Sequence, residues 1–315
     1  MKKLPATALV RLERQVLSAV SSLGARRVSR ALGLSGGMDS VLLAEALRRS
    51  GVGFQAWHFN HNWRGAESEA DAGWVRAWCR ERSVPLVPGK ARAGSRRTEA
   101  DARRLRWDFF RKQAARHSVG EIWLAHHADD RAETLLLQLL RGAGPAGLAG
   151  PGPVRSLFGL EVCRPLTAFT RDDLAALARH WKLSWREDSS NVDTRHRRNA
   201  VRLRLLPYLD RLTGRRVAPL LARTAEIIES ENQYWDELLS GATGDRLSVA
   251  ELRGQPTAWQ RRRIRAWLLK LEVSDVGFEE IESVRGLLTT DKPAKVNLKT
   301  GLFARRTAGW IWLQR

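Results

Sequence analysis

The sequence predicts an α/β protein with a parallel sheet and helices on both faces, followed by a linking helix and a small α+β C-terminal domain. Three observations carry that expectation. From residue 28 onward, apolar runs of strand length alternate with segments whose apolar residues recur at helical spacing. Glycines and short polar residues stand where strand gives way to helix. After residue 242 the alternation stops, and two helical patterns precede short strand-like pieces separated by glycine. Alternating strands and helices build parallel sheets, whose ligands sit beyond the carboxyl ends of the strands.

The first strand spans 28–34, a length that suits the middle of a sheet, and leads through "SGGMDS" into a helix over 38–47. Residues 54–60 read as a strand, 67–82 as a helix, Leu86 and Val87 as the centre of a short strand, and 98–117 as a helix. A strand over 121–125 and a helix over 129–141 complete the alternation. The Gly/Pro-rich "RGAGPAGLAGPGP" is a loop; a strand-like "LFGLEVCRPL" and a helix over 171–181 follow it. The arginine-rich "WREDSSNVDTRHRRNAVRLRLLP" reads as a segment that wraps the site. An amphipathic pattern over 213–239 is a connecting helix, broken by "SGATGD", and "AKVNLK", "GLFARR" and "WIWL" are the strands of the tail. The domain boundaries expected are 1–210, 211–241 as a linking helix, and 242–315.

With 315 residues the chain has room for two domains. It has no apolar stretch of bilayer length, and its basic N-terminus lacks the apolar centre of a signal peptide, so a cytoplasmic protein with no membrane partner is expected. Two cysteines, Cys79 and Cys163, stand too far apart to suggest a disulfide framework or a zinc site. The formal charge is +20 with a pI near 11.2, mostly from clustered arginines. That balance favours a polyanionic partner such as nucleic acid over a merely solubilising surface.

A helix start after a glycine-rich turn offers outward amides and the positive end of the helix dipole, which together suit phosphate. Gly36 and Gly37 let the backbone curl close, and Ser35 and Ser40 add hydroxyls. The stretch lacks the Lys-Ser/Thr ending of the ordinary phosphate loop and the spelling of dinucleotide folds. Alone it is equally a tight turn without a ligand. His126, His127, Asp129, Asp130 and Glu133 have spacings open to zinc or iron. Asp130 and Glu133, three apart at a helix start, also suit a cationic ammonium.

With "FNHNWRGAESEAD", "EADARRLRWDFF", "AHHADDRAETLLLQLLRGAGPAGLAG" and "REDSSNVDTRHRRNAVRLRLLP" beside "SGGMDS", the chain resembles the tRNA(Ile)-lysidine synthetases of the PP-loop, or N-type ATP pyrophosphatase, superfamily over nearly its full length. The loop is shared by many PP-loop enzymes, whereas the last two stretches are far more specific. Asn62 and Trp63 stand where a small residue and a leucine are usual, and Trp107 replaces a tyrosine. These departures touch packing more than chemistry.

The resemblance implies that ATP adenylates the C2 oxygen of a wobble cytidine, releasing pyrophosphate, and that the ε-amine of lysine then expels AMP. ATP and Mg²⁺ are the implied cofactors; tRNA(Ile) with a CAU anticodon and free lysine are the implied partners, and homodimer formation is left open. Ser35, Gly36, Gly37, Met38, Asp39, Ser40 and His126 would bind the nucleotide, with Asp39 holding Mg²⁺. Asp39, Arg103 and Arg198 would be catalytic, and Asp130 and Glu133 would hold lysine rather than a transition metal. Arg64, Arg202, Arg261 and Arg262 would contact tRNA. With no room for a second C-terminal domain, the grip on tRNA is expected to rest on fewer contacts. A PP-loop tRNA thiolase is the rival enzyme, but it usually wants a reactive cysteine pair. A catalytically idle RNA-binding relative is the other rival, and the intact "SGGMDS" and "HHADD" speak against it.

Overall fold

The structure is a computed structural model that describes residues 5–26, 28–92, 98–187, 193–239, 244–289, 294–299 and 301–314. It divides into two compact units, Met1–Leu137 with Ala149–Glu226, and Gln138–Leu148 with Ile227–Arg315.

The chain opens with α1 (Ala6–Gly24), a helix the sequence reading passed over. Leu12, Val16 and Val20 recur every fourth residue on its buried stripe. Then follow β1 (Arg30–Gly33), α2 (Met38–Arg49), β2 (Gln55–Asn60), α3 (Ala66–Glu81), β3 (Leu86–Lys90), α4 (Glu99–His117), β4 (Glu121–Trp123) and α5 (Ala128–Leu139). After α6 (Pro145–Leu148) come β5 (Val154–Leu157), β6 (Leu160–Cys163), α7 (Arg171–His180), α8 (Arg197–Ala200), α9 (Leu206–Thr213) and α10 (Ala218–Leu239). A π-helical turn, Val201–Leu205, joins α8 to α9.

The six strands are ordered β3-β2-β1-β4-β6-β5. All neighbours pair in parallel except β5 with β6. Leu32 of β1 lies opposite Ala56 on one side and Trp123 on the other, at the centre of the sheet. Side chains alternate between two cores. Leu32, Ala56 and Trp123 face α1, α2, α3 and α7, whereas Ala31, Trp57 and Ile122 face Trp107, Phe110 and Ala114 of α4. Burying an apolar side chain of this size contributes about 1.5–3 kcal/mol, so the helices are held to both faces by the strands' alternation.

The predicted single strand "LFGLEVCRPL" is instead the hairpin β5–β6, turning at Phe158 and Gly159 with φ of 54° and 76°. Two successive positive φ values match the twist of a two-residue hairpin turn, and nothing local favours Phe there. The arginine-rich segment is helical from Arg197 onward; residues 188–192 within it lie outside the described residues. The linking helix does not run unbroken from 213. Gly214, at φ 68°, ends α9, and α10 begins at Ala218. "SGATGD" lies mostly outside the described residues.

The second unit adds β7 (Leu247–Ser248), α11 (Val249–Arg253), α12 (Thr257–Lys270), α13 (Phe278–Gly286), β8 (Ala294–Lys299), β9 (Leu302–Thr307) and β10 (Trp310–Gln314). Its sheet, ordered β7-β10-β9-β8, is antiparallel. One face buries Leu298, Ala304 and Ile311 against Ile264, Trp267, Leu268 and Val284. Among the described residues no helix is long and apolar enough to cross a membrane.

Candidate active site

From β1 the chain builds β2 and β3 on one side, then returns to place β4 on the other. The loops after β1 and β4 therefore diverge, leaving the crevice in which α/β sheets bind ligands. "SGGMDS" and "AHHADD" are those two loops.

Gly36 has φ +92°, and a Cβ there would lie 3.1 Å from Val75 Cγ2, so both backbone and space call for glycine. The serines brace the turn. Ser35 N–H donates to Ser40 Oγ at 3.2 Å, Gly37 N–H donates to Ser35 Oγ at 3.3 Å, and Ser40 Oγ donates to Gly37 O at 2.9 Å. Both hydroxyls thus hydrogen-bond within the loop. Arg186 N–H donates to Gly36 O at 2.9 Å, tying the loop to the start of the arginine-rich segment.

Asp39, in the first turn of α2, faces the start of α5. His127 Nε2 stands 3.8 Å from Asp39 Oδ2 and 3.5 Å from Asp130 Oδ2, and its Nδ1 is 3.6 Å from Asp129 Oδ2. Burial alone would lower the His127 pKa, but these carboxylates, led by Asp130, carry it to about 9. The ring is therefore cationic at neutral pH. Asp39 is pulled up by burial against the opposing pull of His127, and its Oδ1 is buried with no hydrogen-bond partner. Asp129 Oδ2 accepts the backbone N–H of Arg171 at 2.8 Å, fixing α7 to this cluster.

Asp130 and Glu133 converge on one cation. Arg198 Nη2 donates to Asp130 Oδ1 at 2.7 Å and Arg198 Nε donates to Glu133 Oε2 at 2.6 Å. Burial pushes the Asp130 carboxyl up, yet His127 and Arg198 outweigh it and hold the pKa near 2. Glu133, with no exposed surface, moves the other way: burial raises it beyond what Arg198 recovers. Arg202 Nε lies 4.0 Å from Glu133 Oε1, and Arg202 Nη2 donates to Asn199 Oδ1 at 2.8 Å.

The two histidines of "AHHADD" divide. His126 Nδ1 accepts from Arg164 Nε at 3.2 Å, and burial drives its pKa down to about 3, so it is neutral beside its cationic neighbour. Of the five residues with spacings open to zinc or iron, His126 is thus taken up by Arg164. Among the described residues, the group with metal-ligand spacing is Glu121, Glu161 and Cys163, where Arg30 Nε already lies 3.2 Å from Glu121 Oε2.

The sequence places Arg103 and Arg106 on one helical face, as cations able to offset triphosphate charge or grip the tRNA backbone. On α4, Arg103 is exposed, whereas Arg106 turns inward and its pKa falls to about 10 through burial and the nearby charges of Arg103 and Arg198. Its Nε is buried without a hydrogen-bond partner. Beside it, His61 is pushed down to about 4 by burial and by Arg106.

The expected tRNA-contacting arginines have internal partners. Arg64 pairs with Glu67 at 2.6 Å and Asp71 at 2.9 Å. In the second unit, Arg261 pairs with Glu282 at 2.7 Å, and Arg262 donates to Asn232 Oδ1 at 2.6 Å while stacking over Trp235. Cys79 and Cys163 are buried, which raises their thiols to about 11 and 12.

The parallel sheet, the braced glycine turn at a helix start and the acidic crevice beside it define a PP-loop ATP-using enzyme. A PP-loop domain model matches residues 8–209, and a TilS substrate binding domain model matches 247–312. A tRNA(Ile)-lysidine synthase from Thermosynechococcus vestitus is 35% identical over 90% of this chain and 86% of that relative. One from Solibacter usitatus is 32% identical over 90% of this chain and 66% of its own length. Among solved structures, a U34-tRNA thiolase from Methanococcus maripaludis shares the fold, with a TM-score of 0.54 and 15% identity over 69% of this chain and 79% of that one. The chain belongs to the tRNA(Ile)-lysidine synthase family, and so to the ligases.

Proposed function

We propose that this chain joins free lysine to C2 of the wobble cytidine in a tRNA(Ile) with a CAU anticodon, through a base adenylated by ATP. The observation that carries the reading is the convergence of Asp39, His127, Asp130, Glu133 and Arg198 on one crevice beside the glycine turn. Residues 1–210 carry the chemistry, 211–241 link, and 242–315 grip the RNA.

In the first step the cytidine O2 attacks the α-phosphorus and pyrophosphate leaves. Backbone amides at the start of α2, preorganised by Ser35 and Ser40, stabilise the charge that develops on the leaving group. Asp39, a hard oxygen donor with a buried unpartnered Oδ1, fits Mg²⁺, which when bound neutralises phosphate charge. The cationic His127 keeps Asp39, Asp129 and Asp130 together despite their mutual repulsion. Arg106 and Arg198 are positioned to answer the negative charge of the nucleotide.

In the second step the ε-amine of lysine attacks C2 and AMP departs. Asp130 and Glu133 hold the amino acid, which must share them with Arg198 or turn that guanidinium aside. An ammonium cannot attack until it loses a proton, and Glu133, its carboxyl raised by burial, is the acceptor at hand. A thiolase reading has no support here, because both cysteines are buried as neutral thiols. The substrates place the reaction in the cytoplasm.

The test is incubation with ATP, Mg²⁺, radiolabelled lysine and either of two CAU-anticodon transcripts. Label entering the isoleucine tRNA but not the methionine tRNA is expected. Label in neither, with intact protein, overturns the proposal.

A further inference from the structure

The tail sheet has a second face that its core does not use. In an antiparallel pair, residues directly opposite each other share a face. Trp312 lies opposite Arg305, and Arg305 opposite Lys295, which makes one row across three strands. Gln314, Phe303 and Asn297 make a second row, and Trp310 with Thr307 begins a third. The buried residues Ile311, Ala304 and Leu298 point to the opposite side. On the outer face Lys295, Asn297, Arg305, Thr307 and Gln314 are exposed, and Trp310 is 45% exposed.

The composition of this face is selective. Three aromatic rings, Phe303, Trp310 and Trp312, are interleaved with two cations, and none of the four strands contains Asp or Glu. Lys295 Nζ lies 3.5 Å from the Phe303 ring centroid, a cation–π contact that keeps charge and ring side by side. Exposed tryptophan on a sheet costs solubility without benefit to folding. A flat array of rings and cations suits unpaired bases, which stack on the rings while their phosphates meet the cations. A duplex offers no such bases, since its faces are already stacked.

We propose that the outer face of the β7-β10-β9-β8 sheet is a stacking platform for unpaired nucleotides of the substrate RNA. The inference rests on the RNA-substrate reading above and names the part of the RNA that this unit grips. Trp310, Trp312 and Phe303 supply the stacking surface, and Arg305 and Lys295 supply phosphate contacts. Arg261 and Arg262 take no part, because Glu282 and Asn232 already hold them.

The test uses the full chain and two fluorescein-labelled probes, a short unstructured RNA and a blunt RNA duplex of equal length, followed by anisotropy. Trp310→Ala should weaken single-strand binding roughly 5- to 100-fold, the range that one lost stacking contact produces. Trp310→Phe should restore most of it, and duplex binding should stay unchanged. The Lys295→Gln, Arg305→Gln double variant should lower the log-log salt slope for the single strand by about 1.4, at about 0.7 per phosphate. Thermal unfolding of each variant checks that the unit remains folded. Unchanged single-strand affinity in Trp310→Ala, or an equal loss for both probes, overturns the proposal. Neither probe carries a CAU anticodon loop, so failure of lysine transfer to tRNA is a separate result.

Discussion

Arg198 and Glu133 lie 65 positions apart in sequence, yet Arg198 Nε meets Glu133 Oε2 at 2.6 Å. The contact closes the arginine-rich segment onto α5 and lets one guanidinium bridge two carboxylates. Removing it exposes a like-charge pair that burial already penalises.

Arg198→Ala should therefore destabilise the fold in a pH-dependent way. The folded pKa of Glu133 lies above its ordinary value, so its contribution is full below about 4.5 and is lost as pH rises through the folded pKa. Without Arg198 that pKa rises further, and the deficit against the parent protein should be larger at pH 8 than at pH 5. Urea unfolding at both pH values checks this, and equal deficits would count against the electrostatic account.

Asp130→Asn or Glu133→Gln should separate the two chemical steps. A charge-assisted hydrogen bond contributes about 1.5–3 kcal/mol, and 1.4 kcal/mol is one decade, so the lysine requirement should rise about 10- to 100-fold. Pyrophosphate release with tRNA and ATP should change much less. Saturating lysine should partly rescue product formation; equal loss of both steps at every lysine concentration would remove these residues from the lysine site.

Asp39→Asn should abolish AMP formation while tRNA binding persists, because RNA affinity is spread over many basic groups. Filter binding and AMP release, measured on one preparation, distinguish the outcomes. Near-normal turnover would exclude Asp39 from the mechanism.

His127 contributes to pH dependence in the same direction as Glu133, its window reaching up to about pH 9. Its folded pKa, about 9, exceeds the ordinary 6.5, so its stabilisation is complete below about 6.5 and disappears as pH rises through 9. At about 1.36 kcal/mol per unit the change is at most about 3–4 kcal/mol. His127→Gln should flatten the stability profile across that window when no Mg²⁺ is added. A parent profile that is already flat would rule out a charged His127.

The alternating strands of the first unit were legible because their apolar runs and glycine turns are local signals. The stripe of Leu12, Val16 and Val20 was equally local but lay in a basic segment read only for targeting. Phe158 was not legible, since a positive φ at phenylalanine is imposed by the sheet and not by residue preference. In the site, the Ser35–Ser40 turn follows from its own glycines. The capture of Asp130 and Glu133 by Arg198, and the inward turn of Arg106, depend on distant segments meeting, which no window of neighbouring residues encodes.

The π-helical turn Val201–Leu205 lies between two obligations. Upstream, Arg198 must point at the acids of α5; downstream, Leu206 packs with Ala132 and Leu136 on the same helix. An ordinary helix rotates about 100° per residue, so winding these five residues as α-helix would swing one of the two groups out of phase with α5. The widened turn absorbs that angular mismatch. Segment length thus matters to this contact as much as side-chain identity: deleting a single residue here, with every side chain of the cluster retained, would misalign the guanidinium from its carboxylates.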